Sequence, residues 1–526
     1  MAYLDYEGLG DYDGYVKTAL NGIDSRLLSL EAEGKIYGVS GLTNSSPVLT
    51  RTDDAIGMAA QVGTDGDNTA VVNDFDAALP FRRRKCVGKW HNIEGRAIFR
   101  VHAYEGDADY AEDGTKGDFV AVECPLSFYK MDANTLKISA HQHEGFRPFD
   151  IFCHNHDPEE LLSHYYLPAY ALAKDTNGHA VSLPGFDNEQ GDYASLLAAA
   201  KTYDGTGLGT EAILQPMAVN FYEWALFTVE FATLNCQNIM KGCSELRHNA
   251  DDRITFTDAT HAITSNYYAS RVAGEYIAIT PTTVDINDST KKATHKIVSI
   301  TRCDASGNAD ASGTHQLLEL VDLGKAYYEY DLTGATEYRI AARPYRTGSC
   351  NSVSTPSGSP VSNSDGYHPM KYRHRENAFA NQNKTIMDMF NMRVGTGNDD
   401  YTLDWYYLPD PTEWQSGNPG ASNLAAAPFE KLDVETEHAN YVSGYIKSKK
   451  YSEEYPDLWI PYETAGGSAS TYFCDYAYLV YSYTVRALRV GGNWSPGAYA
   501  GLSAVIANYA PSSAYANYGG DLCFAQ

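Results

Sequence analysis

The densest group of metal-type ligands in the chain is His141-Gln142-His143 followed by Cys153-His154-Asn155-His156. Imidazole and thiol donors would suit zinc or a similar ion if strands brought the two clusters together; otherwise each ring hydrogen-bonds locally in a loop-rich region. The second reading is the expectation, with no metal and no cofactor. The acidic stretch 107–118 offers oxygen ligands for calcium but no fixed ligand register, and reads as solvated surface. Nine cysteines, Cys86 to Cys523, contain no CxxC pair and make an odd total. They form no disulfide framework, which suits folding in a reducing compartment. Glycoside hydrolysis needs two facing carboxylates, but with 67 acidic residues no pair stands out from the sequence. Gly-x-Ser-x-Gly, His-Glu-x-x-His and Walker motifs are missing from the chain. The expectation is therefore a protein that is not an enzyme.

Charge narrows the partners. Forty basic against 67 acidic residues leave a formal charge of -27, which repels phosphate backbones and anionic lipid surfaces. Neither nucleic acid nor membrane insertion is expected, and no stretch approaches the length of a membrane span. The opening MAYLDYE lacks the basic start and apolar run of a signal peptide, so synthesis in a cytoplasm is expected. The 41 Tyr and 44 Gly supply rigid amphipathic rings and permissive backbone, a mixture suited to recognition surfaces built on loops.

The elements that would position such a surface can be read from periodicity. Val16, Leu20, Ile23, Leu27 and Leu30 recur at heptad spacing, which predicts a helical attachment or oligomerising segment over residues 1–35, with a homotrimer as the expected assembly. Residues 36–248 form the first part of the body, and from Ile36 to about Lys137 the pattern is short strands broken by Gly, Asp and Asn, such as AIFRVHA at 97–103 and FVAVE at 119–123. Two helices follow, at 193–201 and 220–234, the latter with Phe221, Trp224, Ala225, Thr228 and Phe231 on one stripe. Residues 249–364 turn to Thr, Ser, Asp and Val with β alternation and end in a Ser/Pro/Gly run, which predicts a small inserted all-β domain. The remainder, 365–526, is aromatic and glycine-rich. The fold class expected is α+β.

Four segments occur in order: NFYEWALFTVEFATLNCQNI at 220–239, YRHREN at 372–377, TVRALRVGG at 484–492 and GGDLCF at 519–524. In this order they resemble the variable proteins of diversity-generating retroelements, which share a C-type-lectin-like fold with formylglycine-generating enzymes. The resemblance covers most of the chain from about Ile36, and the opening MAYLDYEGL and the stretch 37–57 look like tail-fibre proteins of gut bacteriophages. In that family a core strand enters through Val-Gly-Gly, matching Val490, Gly491 and Gly492, and the chain leaves through Gly-x-x-Leu-Cys-Phe. The segment between is rewritten at template adenines. Here 493–518 holds seven Ala, four Tyr, four Ser and three Asn and no charged residue. Lys, Glu, Gln, Met and Trp cannot arise from an AAC codon by adenine mutagenesis, and Trp494 is the one such residue in the segment.

The resemblance implies a receptor-binding protein at the tip of a phage tail fibre, carried in the virion. Its partners would be a bacterial surface protein or glycan and, through the N-terminus, other fibre or baseplate proteins. The contact residues expected are Asn493, Tyr499, Ser503, Ala504, Val505, Ile506, Asn508, Tyr509, Ser513, Tyr515, Asn517 and Tyr518, with Trp494, Gly497, Gly501, Leu522, Cys523 and Phe524 as scaffold. Two departures bear on local geometry. Asp521 stands where the family carries Arg, so an internal ion pair is expected to be missing or reversed, and Ala380-Asn381 replaces a Gly-Asn. A structural fibre protein without a receptor role, or an oxidase of the formylglycine-generating type, are the alternatives; the oxidase would need a nearby cysteine pair, whereas Cys474 and Cys523 are far apart in sequence.

Overall fold

The run 217–231 folds as the longest helix among the described residues, Met217–Phe231, and every residue in it is buried. The single apolar stripe expected from the sequence is therefore too narrow a description, because other elements pack against all sides of this helix. Its two carboxylates, Glu223 and Glu230, are seven residues apart and so share a face. Each is buried against an arginine. The first backbone N–H, on Met217, donates to Asp388 Oδ1 at 3.0 Å, so a neighbouring strand supplies the N-terminal partner that the helix lacks in its own sequence.

The structure is a computed structural model. It describes residues 34–525 apart from 64–70, 205–207, 209–210, 246–252, 259, 265–270, 275, 284–292, 323–332, 342–345, 361–362, 364–365, 396–401, 438–442, 481 and 495–496. The heptad segment 1–35 lies almost wholly outside the described residues. Strands far outnumber helices, so the chain is largely β. The second expected helix is Tyr193–Ala200, capped by Asp192, whose side chain accepts from Ser195 N at 2.8 Å.

The N-terminal part builds two antiparallel sheets. One joins Tyr37–Ser40 to Thr50–Asp53 and Thr135–Ser139; the other runs Arg96–Tyr104, Arg84–Ile93, Phe119–Pro125, His164–Pro168. The polar region predicted as a β insertion contains a closed six-stranded barrel between Arg253 and Ala341. Its inward residues, among them Ile254, Ile277, Ile297, Leu318 and Ile340, form a core of their own. The alternation seen in THKIVSITR and HQLLELV is the inside-outside period of this barrel.

The C-terminal part is organised by an eight-stranded sheet. Its order is Glu430–Glu437, Thr402–Tyr407, Asn383–Val394, Arg486–Gly491, Gly501–Ala507, Tyr476–Leu479, Gly444–Tyr445, with Tyr518–Gly519 added alongside Asn383–Val394. The strand Leu522–Phe524 leaves this sheet and pairs with Ala212–Leu214, just before the long helix. The last residues of the chain are thereby tied to the helix that carries Glu223 and Glu230.

Candidate functional site

The motif YRHREN and the long helix are joined by buried charge. Arg373 donates to Glu230 through Nε at 3.0 Å and Nη2 at 2.5 Å, and Tyr372 donates its hydroxyl to the same carboxylate at 2.9 Å. Arg375 pairs with Glu223 and also with Asp521, and Lys384 Nζ lies 2.5 Å from Asp521. The ion pair expected to be missing or reversed is thus present with its sign reversed: Asp521 is the anion between two buried cations. Those cations hold its carboxyl below the usual carboxylate range against the opposing effect of burial. Ala380 and Asn381 both take left-handed backbone, with φ of 60° and 57°, so the turn expected of Gly-Asn forms with Ala in the glycine's place.

Around this clamp, the backbone of 493–518 is gripped by residues outside it. Trp494 N donates to Asn381 O at 3.1 Å, Gly497 N to Ser244 O at 2.8 Å, and Leu502 N to Cys236 Sγ at 3.3 Å. Asn220 of the long helix reaches Leu502 O at 3.0 Å, and Gln237 Nε2 reaches Gly497 O at 2.9 Å. The Asp475 carboxylate takes Ser503 N at 2.7 Å. Gly501 is required there: at φ +153° a Cβ would sit 2.0 Å from Asp475 Oδ1. Trp494 is buried against Cys243 and Gly492 turns at φ +76°, in keeping with the scaffold roles expected of this region.

The side chains of the segment divide into two groups. Asn493, Tyr499, Ile506, Asn508, Tyr509, Tyr515, Asn517 and Tyr518 line one groove of about 610 Å³. Within it Tyr509, Tyr515 and Tyr518 form a mutual edge-to-face triad with centroids 5.1 to 5.7 Å apart. Tyr509 and Tyr515 are the exposed members, at 36% and 51%, whereas Tyr518 and Ile506 line the groove while almost fully buried. Tyr518 lies on the buried Arg489 guanidinium, 4.0 Å from its ring centre.

The other group corrects the sequence reading. Ser503, Ala504 and Val505 are fully buried in the strand Gly501–Ala507 and cannot touch a partner. A central strand of a sheet covered on both faces is apolar throughout, and this run of small and β-branched residues matches that pattern as well as it matches a variable surface. Ser513 is half-buried and lies outside the groove; its carbonyl accepts from Arg489 Nη2 at 3.4 Å. Conversely, Tyr445, Tyr476 and Tyr478 were not anticipated. Tyr499 stacks on Tyr476 at 4.3 Å and meets Tyr445 and Tyr478 at 5.4 and 5.9 Å, so a second tyrosine cluster joins the segment to neighbouring strands. The alternating YAYLVY was the one signal for Tyr476 and Tyr478 in the sequence; the pairing of Tyr476–Leu479 with Gly501–Ala507 brings them here, and that of Gly444–Tyr445 with Tyr476–Leu479 brings Tyr445.

No protein-family model matches the chain, and no curated protein does. The groove is therefore described by its own chemistry: rigid aromatic walls, amide groups from Asn383, Asn493, Asn508 and Asn517, and one carboxylate, Glu245.

The sequence-level metal candidates are held apart by local bonds. His156 Nδ1 lies 2.7 Å from Asp150 Oδ2 and its Nε2 2.7 Å from Pro409 O, while His143 Nε2 lies 3.0 Å from Ser139 Oγ. Those two acceptors, outweighing burial, push the His156 imidazole up to about 9. Among the described residues no three His, Cys, Asp or Glu side chains are grouped to hold an ion. In the acidic stretch 107–118, Glu112 departs from the expected solvated surface. It turns inward to pair with Lys85 at 2.6 Å.

Proposed function

We propose that the protein is a receptor-binding adhesin of a bacteriophage tail fibre, with a C-type-lectin-like body and a diversifiable face formed by 493–518. One observation carries the reading: the backbone of the segment is held by donors and acceptors from outside it, while its Tyr and Asn side chains line the groove. A backbone fixed in this way tolerates replacement of the groove-facing side chains without loss of the fold. The sequence supports the family assignment further: Val490-Gly491-Gly492 ends one strand and Leu522–Phe524 forms the last, which are the entry and exit points implied by the resemblance.

The groove suits non-covalent recognition of a protein or glycan. Tyrosines supply contact area at low side-chain entropy, and asparagines supply adaptable hydrogen bonds. Individual contacts of this kind are weak, and several copies on one fibre raise avidity by ~10²–10⁴. The test is to exchange 493–518 for another variant of the segment and measure adsorption to a panel of bacterial strains. Host range should move with the segment; an unchanged range would sink the assignment. A near-copy of the encoding DNA beside a reverse transcriptase gene, differing only at adenines, is the genomic counterpart.

A further inference from the structure

A cavity of about 740 Å³ lies away from the groove, between the strand Phe128–Met131, the long helix and the strand Ser448–Tyr451. Its lining reverses the charge of the molecule. Lys130, Arg147, Lys449 and Lys447, the last paired with Glu463 at 3.2 Å, face it against two carboxylates, Asp132 and Glu453, in a chain whose net charge is -27. Asp132 is engaged in its own turn, accepting from Asn134 N and Thr135 N at 2.8 Å each. Small anions are repelled from most of this protein's surface, and here the local field attracts them.

Lys449 gives the pocket its second unusual feature. Its ammonium sits 4.0 Å from the ring centre of Trp224, 3.7 Å from Trp459 and 4.8 Å from Phe473. Its Nζ is buried without a hydrogen-bond acceptor, as are Nε1 of Trp224 and of Trp459. No carboxylate among the described residues comes within ion-pair distance of Lys449; ring faces surround its nitrogen, and Asp475 is the acid whose charge acts on it from further off. Burial holds its amine well below the usual lysine range, and a negative group in the pocket would favour the charged form.

We propose that this pocket is a second ligand site, and that it takes a saccharide bearing a carboxylate. The half-buried Tyr451 and Tyr472 offer ring faces for the C–H side of a pyranose, and Thr43 and Ser448 add hydroxyls to the lining. Arg147 and Lys130, both exposed at the rim, meet the carboxylate, and Arg147 does so with a planar fork. The pocket volume falls in the range of small-ligand sites, with room for a short oligosaccharide. None of these residues belongs to 493–518, so specificity here is independent of the variable face.

The experiment is saturation-transfer NMR on the full chain with N-acetylneuraminate, glucuronate and trigalacturonate as acidic probes and maltotriose as the neutral control. At least one acidic probe should give a saturable signal and maltotriose none. The double variant Lys130→Ala/Arg147→Ala, which removes two exposed side chains and leaves the core intact, should weaken that signal at least tenfold. Exchange of 493–518 should leave it unchanged. Silence from all three acidic probes, an equal signal from maltotriose, an unaltered signal in the double variant, or loss on exchange of the segment would each overturn the proposal. The last outcome would place binding in the groove.

Discussion

The Asp475 carboxylate accepts the backbone N–H of Ser503 at 2.7 Å, so a buried acid holds the middle of 493–518 in the sheet. Burial pushes this carboxyl up to about 8. The folded protein therefore keeps a proton that the unfolded chain releases near the ordinary carboxylate value. Stability from this group is full below about pH 4 and is lost as pH rises through about 8. Asp475→Asn should flatten that decline, because the amide oxygen still accepts from Ser503 without titrating. Urea midpoints for both proteins between about pH 5 and pH 9 check it, and equal losses would show that Asp475 is not the source.

Gly501→Ala meets the same carboxylate. The added methyl would lie 2.0 Å from Asp475 Oδ1 in backbone at φ +153°. A loss of about 3 kcal/mol or more is expected from overpacking and backbone strain together. The double variant Gly501→Ala/Asp475→Gly should recover part of it.

Asp521 neutralises Arg375 and Lys384, all three buried. Asp521→Ala leaves buried Lys384 without its carboxylate beside Arg375, which keeps Glu223, and should cost roughly 3–5 kcal/mol in denaturant unfolding. A loss under about 1 kcal/mol would mean that water reaches this cluster.

Ala380 holds left-handed backbone at φ 60° where the turn favours glycine. Ala380→Gly should raise stability by up to about 1 kcal/mol, since relief of strain outweighs one lost methyl contact and the greater freedom of the unfolded chain. Thermal unfolding of the pair decides the sign.

Scaffold and contact roles within 493–518 separate in a paired experiment. Trp494→Ala empties a buried site and should cost about 3–5 kcal/mol. Tyr509→Ala/Tyr515→Ala removes the two exposed rings and should change stability by about 1 kcal/mol or less while reducing adsorption to host cells at least tenfold. Comparable destabilisation by both would contradict the division of roles.

Much of the architecture could be read from the sequence. The 3.6-residue period and the Ala/Leu content marked both long helices, and the two-residue period of THKIVSITR and HQLLELV marked barrel strands. What the sequence could not supply was the number of sides from which an element is covered. The long helix showed one apolar stripe, but its Glu223 and Glu230 are buried as well, because Arg373 and Arg375 arrive from about 150 positions downstream. The same limit governed the binding face. Ala504, Val505 and Ile506 follow one another in the sequence, yet the strand buries the first two and lets the third line the groove.

By itself the sequence determined a segment free of charge, rich in Tyr and Asn, and bounded by glycine turns at 491–492 and 519–520, because composition and turn chemistry are local properties. Only the tertiary structure decided which of those side chains face outward. Strand pairing fixes that choice, and it depends on partners remote in the chain: Arg486–Gly491 on one side of Gly501–Ala507 and Tyr476–Leu479 on the other.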